Sequence, residues 1–173
     1  LSHASLVQEL HREYVRAGAQ VLSTNSWGAN RFKLTQHNLQ DKVHAINLAA
    51  ARLAREIAGD ETYVAGAVGP LGVRIEPWGP TSFQEAKEAF AEQIRGLGEG
   101  GVDLISLETF SDITEIQQAV AAVREVAAWS GLLANQAAAL QRDLDVLMPW
   151  SGLLVRQPAP FGDGRHLTGE LSG

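Results

Sequence analysis

Apolar positions recur along this chain in two rhythms, one helical and one strand-like, and the two alternate. From Leu6 to Ala17, the residues Leu6, Leu10 and Tyr14 stand at i, i+4 and i+8 on one helical face, and Gly18 supplies a C-terminal stop. Ala19 to Asn25 then reads as a short strand ending in polar residues. Val43, Ile46, Leu48, Ala50, Leu53 and Ile57 form the next helical stripe, halted at Gly59, and Tyr63 to Val68 is an apolar strand ending in Gly69-Pro70. Ser82 with Glu85 three residues later is a capping-box signal for a helix through Leu97, followed by the apolar strand Val102 to Leu107 ending in Glu108-Thr109. Asp112 with Glu115 repeats that signal for a helix through about Ala127, and Leu153-Leu154-Val155 reads as a fourth strand.

Strands that alternate with helices in this way predict βα units and a parallel sheet. Because the strands are apolar throughout, both their faces must be covered, as in a closed barrel or a doubly wound sheet. The pattern leaves these two α/β architectures open. Residues 128 to 152 break the rhythm with Trp129, Trp150 and an alanine-rich run, and the Pro- and Gly-rich tail from Gln157 to Gly173 reads as loop.

Composition narrows the function. At 173 residues the chain suits one domain or a piece of one, with 45% hydrophobic and 20% charged residues, the balance of a folded protein. A formal net charge of −6 and the lack of any Lys/Arg-rich run argue against nucleic acid as a partner. The longest apolar neighbourhood, Ile116 to Leu140, is interrupted by Arg124 and Glu125 and falls short of the roughly 18 apolar residues that span a bilayer, so no membrane segment is expected. The chain opens on Leu1 with no basic and apolar leader behind it; the start reads as a cut, and a cytoplasmic location is the default expectation. There is no cysteine, which excludes thiol nucleophiles and thiolate metal sites built from these residues alone.

In parallel α/β folds ligands bind at the C-terminal ends of the strands, so Thr24-Asn25, Gly69-Pro70 and Glu108-Thr109 are the candidate positions. A carboxylate that ends an apolar strand starts at the rim of a core, where an unpaired charge is costly. Glu108 therefore calls for a cation, either a structural Lys or a bound ammonium. Other signals carry less. The glycines of Gly96-Leu97-Gly98-Glu99-Gly100-Gly101 precede a strand, so they end a helix rather than cradle a dinucleotide. His37 and His44 lack a carboxylate at ligand spacing, no Gly-x-Ser-x-Gly elbow exists, and the four tryptophans read as core or loop packing.

The ordered combination of His11-Arg12-Glu13-Tyr14, Ala17-Gly18-Ala19, Thr24-Asn25-Ser26-Trp27-Gly28-Ala29-Asn30-Arg31, Gly66-Ala67-Val68-Gly69-Pro70, Gly101-Val102-Asp103-Leu104 and Glu108-Thr109 resembles the homocysteine S-methyltransferase family. Within it, Gly28 to Arg31 and Glu108 to Asp112 look closest to two amino-terminal modules. These are the modules of bifunctional homocysteine methyltransferase/methylenetetrahydrofolate reductase proteins and of cobalamin-dependent methionine synthase. The resemblance covers about residues 5 to 127 and is faint again from Leu153 to Gly169. It implies three segments: a partial barrel over 1–127, a divergent insertion over 128–152, and a fifth-strand and loop-like tail over 153–173.

The resemblance implies a (β/α)8 TIM barrel of which this chain supplies about strands two to five, since a whole barrel takes about 250 residues. It implies methyl transfer to the thiol of homocysteine to give methionine, with methylcobalamin, methyltetrahydrofolate or a sulfonium or betaine compound as donor. It further implies a zinc ion held by three cysteines on later strands, none of which this chain contains, so the metal ligands would lie outside residues 1–173 and the chain alone would be inactive. Glu108 would hold the ammonium of homocysteine, with Asn25, Thr24, Gly69 and Thr109 lining the same pocket. Ser26 and Trp27 depart from the family's commoner Thr and Phe, a change expected to be near-isosteric. The alternatives are a non-catalytic remnant that binds an amino acid or self-associates through open sheet edges, and an unrelated barrel enzyme sharing only the fold.

Overall fold

The computed structural model describes residues 3–129 and 153–156. Helix α1 (Ala4–Arg16) leads into strand β1 (Val21–Ser23), a short helix α2 (Arg31–Thr35), a 3-10 turn at Gln40–Lys42 and helix α3 (Val43–Ala58). Strand β2 (Tyr63–Val68), helix α4 (Phe83–Glu99), strand β3 (Leu104–Leu107), helix α5 (Ile113–Trp129) and strand β4 (Leu153–Arg156) follow. The strands lie in chain order, with β1 parallel to β2 and β2 parallel to β3.

The fourth strand falls where the sequence places it but runs antiparallel to β3, pairing Leu153 with Leu107 and Arg156 with Leu104. The expected parallel direction is thus corrected. A parallel β4 would follow α5 directly, because α5 carries the chain back to the start of β3. β4 instead enters beside Leu107, the last residue of β3, at the opposite end of the sheet from the one to which α5 returns.

One face of the sheet is closed by helices. Leu22, Val64, Val68, Ile105 and Leu107 join Ala51, Ala54, Phe90, Ile94, Leu97, Val120 and Val123 in a single buried cluster. Helices α3 and α4 approach closely because of the glycine string: a Cβ on Gly96 would lie 2.6 Å from the His44 carbonyl, and one on Gly100 2.4 Å from the Ala51 Cβ. Gly100 caps α4 and Gly101 turns the chain at φ 92°, so these glycines end a helix, as the sequence predicts. The opposite face carries Ser23, Ala65, Ala67 and Ser106, small residues aligned by the strand register.

Helix α1 departs from its pattern. Leu6, Leu10 and Tyr14 do share a face, but it is 66%, 56% and 57% exposed; the helix packs through His11 and Val15 instead. Two apolar lines run along α1, and contact with α3 selects the one that includes His11. Because burial removes water from that imidazole, its pKa lies below the usual value.

At the N-terminal end of the sheet, Arg55 of α3 ties three segments together. Its guanidinium donates to the Gly101 carbonyl at 2.9 and 2.8 Å, to that of Gly59 at 3.2 Å, and to the Asp103 carboxylate. Asp103 also accepts the Val64 N–H at 2.7 Å. Asp103→Ala removes an acceptor shared by a buried backbone donor and a cation, so urea unfolding is expected to show a loss of about 1–3 kcal/mol with an unchanged denaturant slope.

Candidate functional site

The first strand-end loop is held by its own hydroxyls. Beyond β1, the Thr24 N–H bonds to the Ala65 carbonyl at 2.8 Å, and the Thr24 hydroxyl accepts the Ala67 N–H at 3.0 Å. Ser26 Oγ lies 2.6 Å from Thr24 Oγ1 and donates to the Ala67 carbonyl at 2.8 Å. Both side chains are buried, so they splice the loop onto β2 where the ladder ends. Thr24 is thereby occupied by backbone partners, whereas Asn25, next in sequence, is exposed.

From the helical side, Gln93 donates to the Ser26 carbonyl at 2.7 Å and Asn47 to the Ala29 carbonyl at 2.8 Å. Asn30 caps α2 by accepting the Lys33 N–H at 3.1 Å and reaches the Pro70 carbonyl at 3.4 Å. Three buried amides thus fasten one loop. Only Asn30 left a trace in the sequence, as a cap residue before a short helix; Gln93 and Asn47 sit within helices, where nothing separates them from surface amides.

Trp27 joins all three parallel strand ends. Its carbonyl accepts the Gly69 N–H at 2.9 Å and its indole N–H donates to Thr109 Oγ1 at 2.8 Å. The indole lies where a Gly69 side chain would stand, since a Cβ there would come within 2.3 Å of the ring. The Lys33 ammonium sits 3.6 Å from the ring centroid on the indole face. The expectation that Trp27 serves only packing and is near-isosteric with Phe is corrected by the indole N–H bond, since Phe has no donor to offer.

Glu108 follows β3, its N–H bonded to the Val68 carbonyl at 2.9 Å. It is half-buried, and its carboxylate has no hydrogen-bond or ion-pair partner among the described residues. Ser106 precedes it by two residues on the same face, opposite the helices. Asn25, Gly69, Glu108 and Thr109 therefore stand together at the C-terminal ends of adjacent parallel strands, with Thr24 anchored beneath.

Glu115 sits under this mouth. Expected to complete a capping box with Asp112, it turns away: Asp112 caps α5 alone through the Thr114 N–H at 2.8 Å, while Glu115 accepts the Leu71 N–H at 2.7 Å. Only 5% exposed, Glu115 has a pKa raised by burial, an effect that the Leu71 N–H and the Lys33 charge only partly offset. Lys33 is lowered by burial, with Glu115 opposing the shift.

Zinc, which the family resemblance implies, finds no ligand set here. The chain has no cysteine, and among the described residues no three His, Asp or Glu side chains gather at metal-binding distance. These residues do not fit the metal.

A raised carboxyl pKa means that the folded state takes up the proton more readily than the unfolded one, so the Glu115 contribution is most favourable below the ordinary glutamate value. It is lost as pH rises through the folded value. Relative to Glu115→Gln, the parent chain is therefore expected to lose stability as pH rises above the ordinary glutamate value of about 4.3. Glu115→Ala, which strands the buried Leu71 N–H, is expected to cost about 1–3 kcal/mol at neutral pH. Urea melts of the three chains across that range check both signs.

A family model described as Homocysteine S-methyltransferase matches residues 1–146. Among curated proteins, methionine synthase of Mycobacterium leprae (strain TN) is 29% identical over 132 residues, covering 73% of this chain and 11% of that protein. Methionine synthase of Mycobacterium tuberculosis is 28% identical over 132 residues, with the same coverage. Among solved structures, the oxidized form of the homocysteine methyltransferase MmuM from Escherichia coli superimposes with a TM-score of 0.61 at 25% identity, over 71% of this chain and 48% of that chain. Its metallated form gives 0.62 at 23% identity, over 76% and 50%. The chain thus spans about half the length of MmuM and about a tenth of the methionine synthases. The fold is α/β with three parallel strands in an open sheet, matching about half of the MmuM barrel. With the family model matched over most of its length, the chain belongs to the homocysteine S-methyltransferase family.

Proposed function

We propose that this chain is the homocysteine-holding part of an S-methyltransferase that methylates the homocysteine thiol to give methionine. The observation that carries the proposal is Glu108, a half-buried carboxylate at a strand end with no partner among the described residues. An α-ammonium placed there makes a charge-assisted hydrogen bond in a partly dry site. Asn25 offers a neutral polar group beside it, while Gly69 and Thr109 border the mouth through Trp27, whose ring fills the space at Gly69 and whose indole N–H holds the Thr109 hydroxyl.

The thiol chemistry belongs to residues beyond these. A free thiol has a pKa of about 8.5, so little thiolate exists at neutral pH unless a metal or a base makes it. Nothing in this chain supplies a cysteine ligand, and the metal site is assigned to residues outside 1–173. The methyl source, whether methylcobalamin, methyltetrahydrofolate acting through cobalamin, or a sulfonium or betaine compound, would likewise be met there. The chain alone is proposed to bind the amino acid without turning it over.

A second reading is favoured by one observation, the exposed line of Leu6, Leu10 and Tyr14 on α1 together with Val21, 48% exposed, on the edge strand β1. An open edge beside an apolar helix face is a template for association. In that reading two copies cover each other's open side. Sedimentation velocity is expected to show concentration-dependent dimer, reduced by Leu10→Glu; a monomer at every concentration removes this second reading.

The main proposal is tested by titrating the chain with L-homocysteine and following amide resonances. Glu108→Gln keeps the shape and removes the charge, and is expected to weaken binding about 10- to 100-fold, the range for a hydrogen bond to a charged group. Unchanged affinity would remove Glu108 as the anchor.

A further inference from the structure

We propose that Trp27 is a positioning residue for Glu108, acting through Thr109; the inference rests on the reading of Glu108 as the ammonium anchor. Thr109 has φ 60°, the left-handed region that a β-branched residue rarely enters. Such a conformation persists where surrounding contacts over-determine it, and those contacts cluster where a site needs a fixed geometry.

Here the contacts are few and specific. The Thr109 hydroxyl donates to the Glu108 carbonyl at 2.7 Å and accepts the Trp27 indole N–H at 2.8 Å. With the Glu108 N–H bonded to Val68, the backbone is held on both sides of the carboxylate-bearing residue. Glu108 is thus fixed at its Cα while its carboxylate is left without a partner among the described residues.

Trp27 can do this because it is itself clamped. Gly69 leaves the space its ring occupies, and the Gly69 N–H bonds to its carbonyl. The Lys33 ammonium covers the ring, and the Lys33 stem passes Gly72 so closely that a Cβ there would lie 3.0 Å from its Cε. Phenylalanine at position 27 would keep the stacking and lose the one bond that reaches Thr109.

Trp27→Phe and Thr109→Val each remove one end of that bond. Binding by the chain is measured for two probes, L-homocysteine and 4-mercaptobutanoate, the same molecule without its ammonium. Each variant is expected to weaken homocysteine binding about threefold to tenfold, the effect of one neutral hydrogen bond. Binding of 4-mercaptobutanoate is expected to stay unchanged, and the double variant to show no further loss. A merely structural role would weaken both probes alike, and that result, or no loss for either variant, overturns the inference. If Glu108→Gln weakens homocysteine binding and Trp27→Phe does not, the anchor stands and the positioning role falls. No loss with Glu108→Gln, or no binding by the unaltered chain, removes both. Thermal melts read alongside ensure that Thr109→Val decides the question if Trp27→Phe does not fold.

Discussion

Three parallel strands that stop side by side leave their last N–H and C=O groups without ladder partners, and in this fold those groups shape the mouth. The first loop answers with hydroxyls: Thr24 and Ser26 take over the Ala67 N–H and carbonyl that β1 no longer reaches. The second and third ends are met by one residue, Trp27, through the Gly69 N–H and the Thr109 hydroxyl. Each junction pairs polar groups at a strand end and also sets a direction, so that stability and site geometry come from the same bonds. The amides of Gln93 and Asn47 carry this order down to the helices.

The local grammar of the chain was readable because it depends on nearest neighbours. Ser82 and Glu85 form the reciprocal cap that their spacing predicts, Tyr63–Val68 is a strand from end to end, and the glycine string closes α4. What was not readable depends on partners distant in sequence. Glu115 has the spacing of a capping residue, yet Leu71, 44 residues away, takes its carboxylate. The Leu6 line on α1 lost to the His11 line because α3 lies on that side. The reversed direction of β4 is set by its pairing with β3, which no local pattern encodes.

The candidate site divides along the same line. Glu108, Asn25 and Gly69 were legible because strand ends in parallel sheets gather ligands, and a carboxylate there stands out against an apolar strand. Trp27 and Lys33 were not, because a tryptophan in a polar loop has the same appearance whether it packs or donates. The open sheet, the exposed face of α1 and the lack of cysteine agree with a chain that spans about half of MmuM. Under the proposed function, amino-acid capture and metal chemistry would fall to different parts of a barrel, a division that the (β/α) layout permits because each strand end contributes its residues separately.

The central claim is that an ammonium occupies the open side of Glu108. A crystal structure of the chain soaked with L-homocysteine tests it most directly. The expected result is the homocysteine nitrogen within hydrogen-bonding distance of the Glu108 carboxylate, with Thr109 still left-handed and bonded to Trp27. Homocysteine bound elsewhere, or Glu108 paired with a lysine or arginine of this chain, would contradict it.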